Sequence, residues 1–141
     1  LTVSYLLRIS ALLVGIRLND LLMLQVETGS AVRAILDGHI VLSRDLASRN
    51  HYPAIDVLQS ISRTMPDVTA VEHRLKAGEV RQWLATLRDS EDLVSVGAYV
   101  KGSSPKIDRA LERRDSVERF LVQATGEPCP LDQSIASLMA L

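Results

Sequence analysis

The second half of this 141-residue chain is patterned for helices, and this pattern constrains the fold more than any other feature. Apolar residues recur there at intervals of three, four and seven, which is the spacing of one face of an α-helix. The clearest series consists of Val80, Trp83, Leu84 and Leu87. We therefore predict a helical domain over residues 68–141.

Breaks in this pattern set the expected helix boundaries. Ser104 is a suitable N-cap and Pro105 suits a first helical position, so one helix is predicted to begin there. The apolar stretch 93–100 is expected to form a short helix of its own. Residues 107–124 are predicted to form two short helices or one bent helix, and residues 131–141 a final helix.

The region before the helical half has shorter elements. Residues 40–42 read as a buried strand or a helix start, and Ser43 can cap a helix over residues 44–48. Residues 49–53 are predicted as a loop, because the residue before a proline avoids helical backbone geometry. Residues 55–62 form the next element. The expected fold class is therefore α/β but mostly helical.

Composition is typical of a soluble globular protein, with 47% hydrophobic and 23% charged residues. The 16 basic and 17 acidic residues give a net charge of −1, so we predict no nucleic-acid partner. Cys129 is the single cysteine and cannot form an internal disulfide, which favours a reducing cytoplasm. The three histidines share no ligand spacing with one another or with Cys129, so no metal site is predicted.

Residues 1–30 form an atypical apolar segment. Arg8, Arg17 and Asp20 interrupt it, which excludes a transmembrane helix because such a helix needs about 20 mostly apolar residues. A secretory signal is the alternative interpretation, since Arg8 precedes the short apolar run ISALLVGI. No small-residue cleavage site follows that run near Asp20.

Two residues within DGHIVLSRDLASRNHYPAIDVLQSISRTM, residues 37–65, suit contact with a nucleotide. Tyr52 is held before Pro53 and offers an aromatic face for stacking on a base, although a core tyrosine that anchors a turn has the same pattern. Arg63 has a planar guanidinium that can stabilise charge on the oxygens of a transferring phosphoryl group. The alternative for Arg63 is a surface salt bridge.

This segment resembles the flagellar type III export ATPases, which are relatives of the rotary ATP synthase catalytic subunits and of the injectisome ATPases. The resemblance covers about residues 33–124 and is tightest in DGHIVLSR, in HYPAIDVL and in the following SISR. It implies that residues 31–67 are the C-terminal end of a RecA-like P-loop ATPase core. Residues 68–141 would then be the C-terminal helical domain of such an enzyme.

The resemblance also implies roles for three residues. Tyr52 would pack on adenine, and Arg63 would be a catalytic arginine finger that acts in trans, in the site of a neighbouring subunit. The stretch VSVGAYVKGSSPKIDRA resembles the helical domain of the flagellar branch, where Tyr99 would approach the adenine from the other side. The nucleotide would be ATP, with Mg²⁺ in the full-length family and no Mg²⁺ ligand in this chain.

The phosphate-binding elements of the family are not found in these residues. Gly97 and Gly102 have the glycine spacing of a P-loop, but Ser103 stands where the P-loop lysine belongs, so the segment is predicted to be a turn. The Walker A lysine, the Walker B aspartate and the catalytic glutamate are all missing. We therefore expect no ATP hydrolysis by this chain alone.

The family further implies a homo-hexamer in the cytoplasm, peripheral to the inner-membrane export gate. Its expected partners are an export regulator, a central stalk protein, chaperones and export substrates. One alternative is a non-catalytic helical interaction module, or a degenerate truncated product, that binds export substrates or the stalk. Another is a helical regulator unrelated to nucleotides.

The resemblance breaks over residues 6–25, which are apolar where the family has an acidic loop. Residues 2–5 still resemble the strand that precedes this loop in the family. One hypothesis is that a frameshift or a misjoined coding segment replaced the loop.

Overall fold

The structure is a computed structural model that describes residues 38–124 and 127–141. The apolar segment 1–30 lies outside these residues. In the described part of the chain, no helix is both long and apolar enough to cross a membrane.

A two-stranded antiparallel sheet opens the described part. Strand β1 (Gly38–Leu42) is followed by the short helix α1 (Arg44–Ser48) and by strand β2 (Ile55–Ser62). The Ser43 side chain accepts a hydrogen bond from the Leu46 amide, so it caps α1 as predicted. Residues 40–42, for which strand and helix start were both open, belong to β1.

Four helices follow the sheet: α2 (Met65–Val68), α3 (Val71–Ser95), α4 (Pro105–Leu121) and α5 (Leu131–Met139). Helix α3 packs along α4 and also contacts α5 and β2. The predicted start of α4 is confirmed, with Pro105 in the first turn. Ser104 occupies the N-cap position, but its side chain makes no capping hydrogen bond. The predicted fold class is likewise confirmed, since the chain is mostly helical with one small sheet.

One hydrophobic core joins the sheet to the helices. Its buried members come from both strands and from α3, α4 and α5: Ile40, Ile55, Val57, Ala77, Val80, Val117, Phe120, Leu121 and Leu138. Trp83 packs against this core, and the cations of Lys76 and Arg113 lie 5.2 and 5.7 Å from its ring centroid. The sheet is therefore fixed to the helical part by shared burial.

The separate helix predicted over residues 93–100 is wrong. Leu93 belongs to the last turn of α3, and the helix ends at Ser95. Gly97 then adopts φ +69°, a left-handed conformation that glycine tolerates at a helix C-terminus and that ends the helix there. Of the two alternatives for residues 107–124, that of two short helices is wrong, because α4 is one helix, which ends at Leu121.

Candidate nucleotide-contact site

Strand β2 contains a large bulge just before Arg63. Ile61 pairs with His39, whereas Asp56 pairs with Val41, so residue 40 alone faces residues 57–60. A bulge leaves backbone groups without ladder partners, and these groups need other hydrogen bonds.

The side chains of Ser60 and Asp56 form hydrogen bonds with backbone groups on one side of the bulge. The Ser60 hydroxyl is fully buried; it accepts a hydrogen bond from the Val41 amide at 3.0 Å and donates one to the Asp56 carbonyl at 2.6 Å. The Asp56 carboxylate accepts hydrogen bonds from the Leu58 and Gln59 amides, each at 3.0 Å. These bonds replace the missing ladder bonds and define the shape of the bulge.

Arg81 of α3 forms hydrogen bonds with backbone groups on the other side of the bulge. Its guanidinium donates hydrogen bonds to the backbone carbonyls of Val57, Leu58 and Ser60, at distances of 2.7 to 3.3 Å. Desolvation by burial lowers the pKa of Arg81, and the nearby Asp56 carboxylate partly opposes this effect. Arginine nevertheless remains a cation at neutral pH, so the bulge carbonyls face a permanent positive charge.

Arg88 adds a second contact between α3 and the start of β2. One of its guanidinium nitrogens lies 3.1 and 3.0 Å from the two Asp56 carboxylate oxygens. The Asp56 side chain is only 13% exposed, whereas that of Arg88 is 51% exposed. The ion pair therefore lies at the edge of the core and keeps the carboxylate oriented toward the bulge.

Arg63 directly follows β2 and is exposed. Within residues 38–124 and 127–141, its guanidinium has no hydrogen-bond or ion-pair partner. The backbone before it is anchored, because Ser62 pairs with Gly38 and Ile61 with His39. Arg63 is thus a cation on a fixed strand end with its donors directed to no described protein group.

Tyr52 lies before β2 and its side chain is 48% exposed. The Tyr52–Pro53 peptide bond is cis. The Tyr52 carbonyl accepts a hydrogen bond from the Gln123 amide, just after α4, at 2.9 Å. The backbone of this residue is therefore tied to the helical part while much of the ring stays accessible, which is the arrangement that base stacking requires.

Tyr99 follows α3 and is half-buried. Its hydroxyl lies 2.9 Å from an Asp108 carboxylate oxygen and 3.1 Å from the Ser104 carbonyl. The same carboxylate accepts hydrogen bonds from the Gly102 amide. The Tyr99 ring is consequently held by the start of α4, and its hydroxyl already has partners.

The order of contacts shows that β2 and α3 run in opposite directions. Arg81 contacts the bulge and Arg88 contacts Asp56 at the start of β2. Glu91, further along α3, forms an ion pair with Arg49 at 3.5 Å, still earlier in the chain. Residues that follow α3 therefore lie toward the start of β2.

This direction separates the three predicted site residues into two groups. Tyr52 and Tyr99 lie toward one end of the β2–α3 pair, and Arg63 lies at the other. The ten residues of α3 between Arg81 and Glu91 rise about 15 Å, which gives the scale of the separation.

Two clefts line this part of the molecule. A cavity of about 170 Å³ lies beside β2, where the buried Nδ1 of His51 has no hydrogen-bond partner among the described residues. A larger cleft of about 280 Å³ lies between α3 and α4 and is lined by none of the three predicted residues. Within the described ranges, no cluster of three or more potential metal ligands is present.

Sequence analysis missed the residues that hold the bulge: Asp56, Ser60, Arg81 and Arg88. One signal was available. Arg81 and Arg88 are seven residues apart and therefore share a helix face, and Arg81 is adjacent to the buried Val80. This position beside the apolar stripe places both guanidiniums at the edge of the core, where their donors need acceptors.

Comparison with protein families gives two matches. The family described as "T3SS EscN ATPase C-terminal domain" matches residues 69–140. The nucleotide-binding domain of the ATP synthase alpha/beta family matches residues 24–62. The first match alone covers more than half of the chain.

Individual relatives agree with these matches. The flagellum-specific ATP synthase of Bacillus subtilis is 47% identical over 110 residues, which is 78% of this chain and 25% of the relative. The type 3 secretion system ATPase of Pseudomonas savastanoi is 46% identical over 110 residues, again 78% of this chain and 24% of the relative. The chain thus spans about a quarter of the length of the curated relatives it matches.

A solved structure has the same fold. The assembled ATPase EscN of the enteropathogenic E. coli type III secretion system, in complex with its central stalk EscO, superposes with a TM-score of 0.73 at 41% identity. The superposition covers 78% of this chain and 27% of the EscN chain.

Proposed function

The chain belongs to the family of flagellar and type III secretion ATPases, and we propose that it is the C-terminal part of an ATPase that energises protein export. In this proposal residues 31–67 end the nucleotide-binding core and residues 68–141 form the helical domain. The flagellar branch is our preference because of VSVGAYVK at residues 94–101. The chain contributes residues that contact the base of ATP in its own subunit, and an arginine that reaches ATP in a neighbouring subunit.

The exposed Arg63 carries this proposal. Its guanidinium is a cation without a partner in the described part of the chain, and the residue follows an anchored strand. Such a group can reach the phosphoryl oxygens of a nucleotide held by another subunit, where an arginine finger contributes roughly 10³ to 10⁵ in rate. We assign Arg63 this role in trans.

Tyr52 and Tyr99 would contact the adenine of a nucleotide held by their own subunit. The accessible ring of Tyr52 and the tethering of its carbonyl to Gln123 support a stacking surface that does not rearrange. Tyr99 would contribute ring area only, because its hydroxyl is already bonded to Asp108. ATP with Mg²⁺ supplies the transferable phosphoryl group, and the remainder of the full-length protein would hold the phosphates and the metal.

The proposed assembly is a homo-hexamer around a central stalk protein. EscN is an assembled ATPase that forms a complex with its stalk EscO, and this chain shares the EscN fold. We further propose an export regulator, chaperones and export substrates as partners. The proposed location is the cytoplasm, peripheral to the inner-membrane export gate.

An activity assay in trans tests the role of Arg63. The chain is mixed with a complete flagellum-specific ATPase in which the arginine corresponding to Arg63 has been replaced by alanine, so that background turnover is low. We expect the chain to stimulate ATP hydrolysis and the Arg63→Ala variant to bind without stimulating. Arg109→Ala, which removes another exposed arginine on α4, is the matched control and should stimulate normally.

Two outcomes would contradict the proposal. One is the absence of stimulation by the wild-type chain despite binding. The other is ATP turnover by the purified chain alone that disappears in Arg63→Ala, since we expect no hydrolysis without the phosphate-binding elements.

A non-catalytic interaction module is the second candidate. Apolar side chains at the C-terminal end of α3 and in the loop after it are exposed, with Val96 at 76% and Val100 at 71%. Exposed apolar groups close together are typical of protein-binding surfaces. Binding of the chain to the complete ATPase or to its stalk, with no effect on turnover, would favour this function.

A further inference from the structure

Arg81 connects the helical part of the chain to Arg63 through the bulge. Arg81 lies in the third turn of the 25-residue helix α3. Its guanidinium donates hydrogen bonds to three neighbouring backbone carbonyls of β2, those of Val57, Leu58 and Ser60. Only Ile61 and Ser62 lie between Ser60, the last of these acceptors, and Arg63. A change in the bulge would therefore reach Arg63 through the paired residues 61 and 62.

On the side that Arg81 binds, the bulge has few other restraints. Ladder pairing with β1 is interrupted over residues 57–60, so the carbonyls there depend on Arg81. A guanidinium presents several donors in one plane, and this geometry lets one side chain fix several acceptors at once. A lysine has the charge but cannot reproduce that planar pattern.

We propose that Arg81 is a positioning residue for Arg63, holding the end of β2 in the orientation from which Arg63 reaches a neighbouring subunit's nucleotide. This inference rests on the proposed function of Arg63 in trans. It adds that the orientation of Arg63 is set by the helical domain. A partner that displaces α3 would then change the catalytic contribution of Arg63 without touching the nucleotide.

The test compares Arg81→Lys with Arg113→Lys. Arg113 also donates from its guanidinium to a backbone carbonyl, that of Leu141, but at the far end of the chain. In the trans assay we expect Arg81→Lys to reduce maximal stimulation by about tenfold to a hundredfold, because a misplacement of about 1 Å can cost roughly a hundredfold in rate. The concentration of chain needed for half-maximal stimulation should stay within about twofold of wild type, since the interface is unchanged. Arg113→Lys should behave as wild type in both respects.

Amide hydrogen exchange of the same variants provides a readout that is independent of activity. Loss of the Arg81 contacts should accelerate exchange of the paired amides in residues 61–62 at least about tenfold, because local opening governs their protection. Arg113→Lys should leave these amides unchanged. Ser60→Ala is the second variant if Arg81→Lys does not fold, because it loosens the bulge from the opposite side and should reproduce both effects.

The outcomes separate this inference from the proposed function. If the wild-type chain fails to stimulate, the role of Arg63 in trans is wrong, and the inference falls with it even where exchange changes. If the wild type stimulates and Arg81→Lys retains full maximal stimulation, only the inference is overturned. An equal loss of stimulation and of apparent affinity would also overturn it, because that pattern indicates a general structural defect.

Discussion

The bulge of β2 and the turn that follows it each involve an arginine, but the two guanidiniums lie in opposite surroundings. Arg81 is half-buried and donates to three backbone carbonyls, while Arg63 is exposed and has no partner within the described residues. Burial lowers the pKa of Arg81, because desolvation disfavours its cation. The donors of Arg63 remain available for an external anion.

This difference explains how a short sheet can carry an exposed cation at its end. The energy that fixes the strand comes from residues 56–60 and from α3, so Arg63 itself does not need to contribute to stability. We therefore expect substitutions to lower the free energy of unfolding most at the bulge and least at Arg63. Urea denaturation monitored by circular dichroism measures each value.

The largest effect is expected for Arg81→Ala. This change leaves the carbonyls of Val57, Leu58 and Ser60 without their donor, and an unsatisfied buried polar group costs about 1–3 kcal/mol. Because Arg81 is only half-buried, water replaces some of these bonds, and we expect a total loss of about 2–3 kcal/mol. Arg81→Met keeps the aliphatic stem and separates the contribution of the guanidinium from that of packing. A loss below about 0.5 kcal/mol, the range of ordinary surface substitutions, would contradict the assignment of Arg81 as the donor that holds the bulge.

Ser60→Ala should have the second-largest effect. The fully buried hydroxyl joins the Val41 amide to the Asp56 carbonyl, and its removal leaves both without this partner. We expect a loss of about 1–2 kcal/mol. Ser116→Ala is the matched control, because that hydroxyl bonds only within its own helix, to the Arg113 carbonyl. Equal losses for the two serines would mean that the bulge is not held by its internal hydroxyl.

Arg88→Ala should have a smaller and salt-dependent effect. Its partner Asp56 is well covered but Arg88 is half exposed, so we expect a loss of about 0.5–1 kcal/mol at low ionic strength that decreases as salt is added. Arg49→Ala breaks the ion pair with Glu91, whose two side chains are 70% and 61% exposed, and should cost nothing measurable. A loss for Arg88→Ala that does not respond to salt would show that packing of the side chain, rather than its charge, stabilises the start of β2.

Sequence patterns predicted the local parts of this structure and missed the contacts between distant ones. The Ser43 cap and the start of α4 at Pro105 follow from the chemistry of single residues and their immediate neighbours, and both are confirmed. The end of α3 was misjudged because apolar residues continue past it, and the left-handed Gly97 was the overlooked stop signal.

The bulge could not be predicted in the same way. Residues 55–62 read as one element, yet their shape depends on Arg81, a residue 21 positions after Ser60. Only the fold brings these residues together. The roles of Tyr52, Arg63 and Tyr99 in nucleotide contact stay predictions, drawn from the resemblance to export ATPases.

The smallest effect is expected for Arg63→Ala, and this variant makes the comparison with Arg81 sharpest. Its exposed guanidinium has no partner in the described part of the chain, so we expect the free energy of unfolding to change by no more than about 0.5 kcal/mol. Stability and function would then be divided between the two arginines, with Arg81 holding the strand and Arg63 serving the neighbouring site. A loss near that of Arg81→Ala would contradict this division, because it would mean that Arg63 also stabilises the chain. Both variants are to be measured in the same buffer, because ionic strength changes the contributions of exposed charges more than those of buried ones.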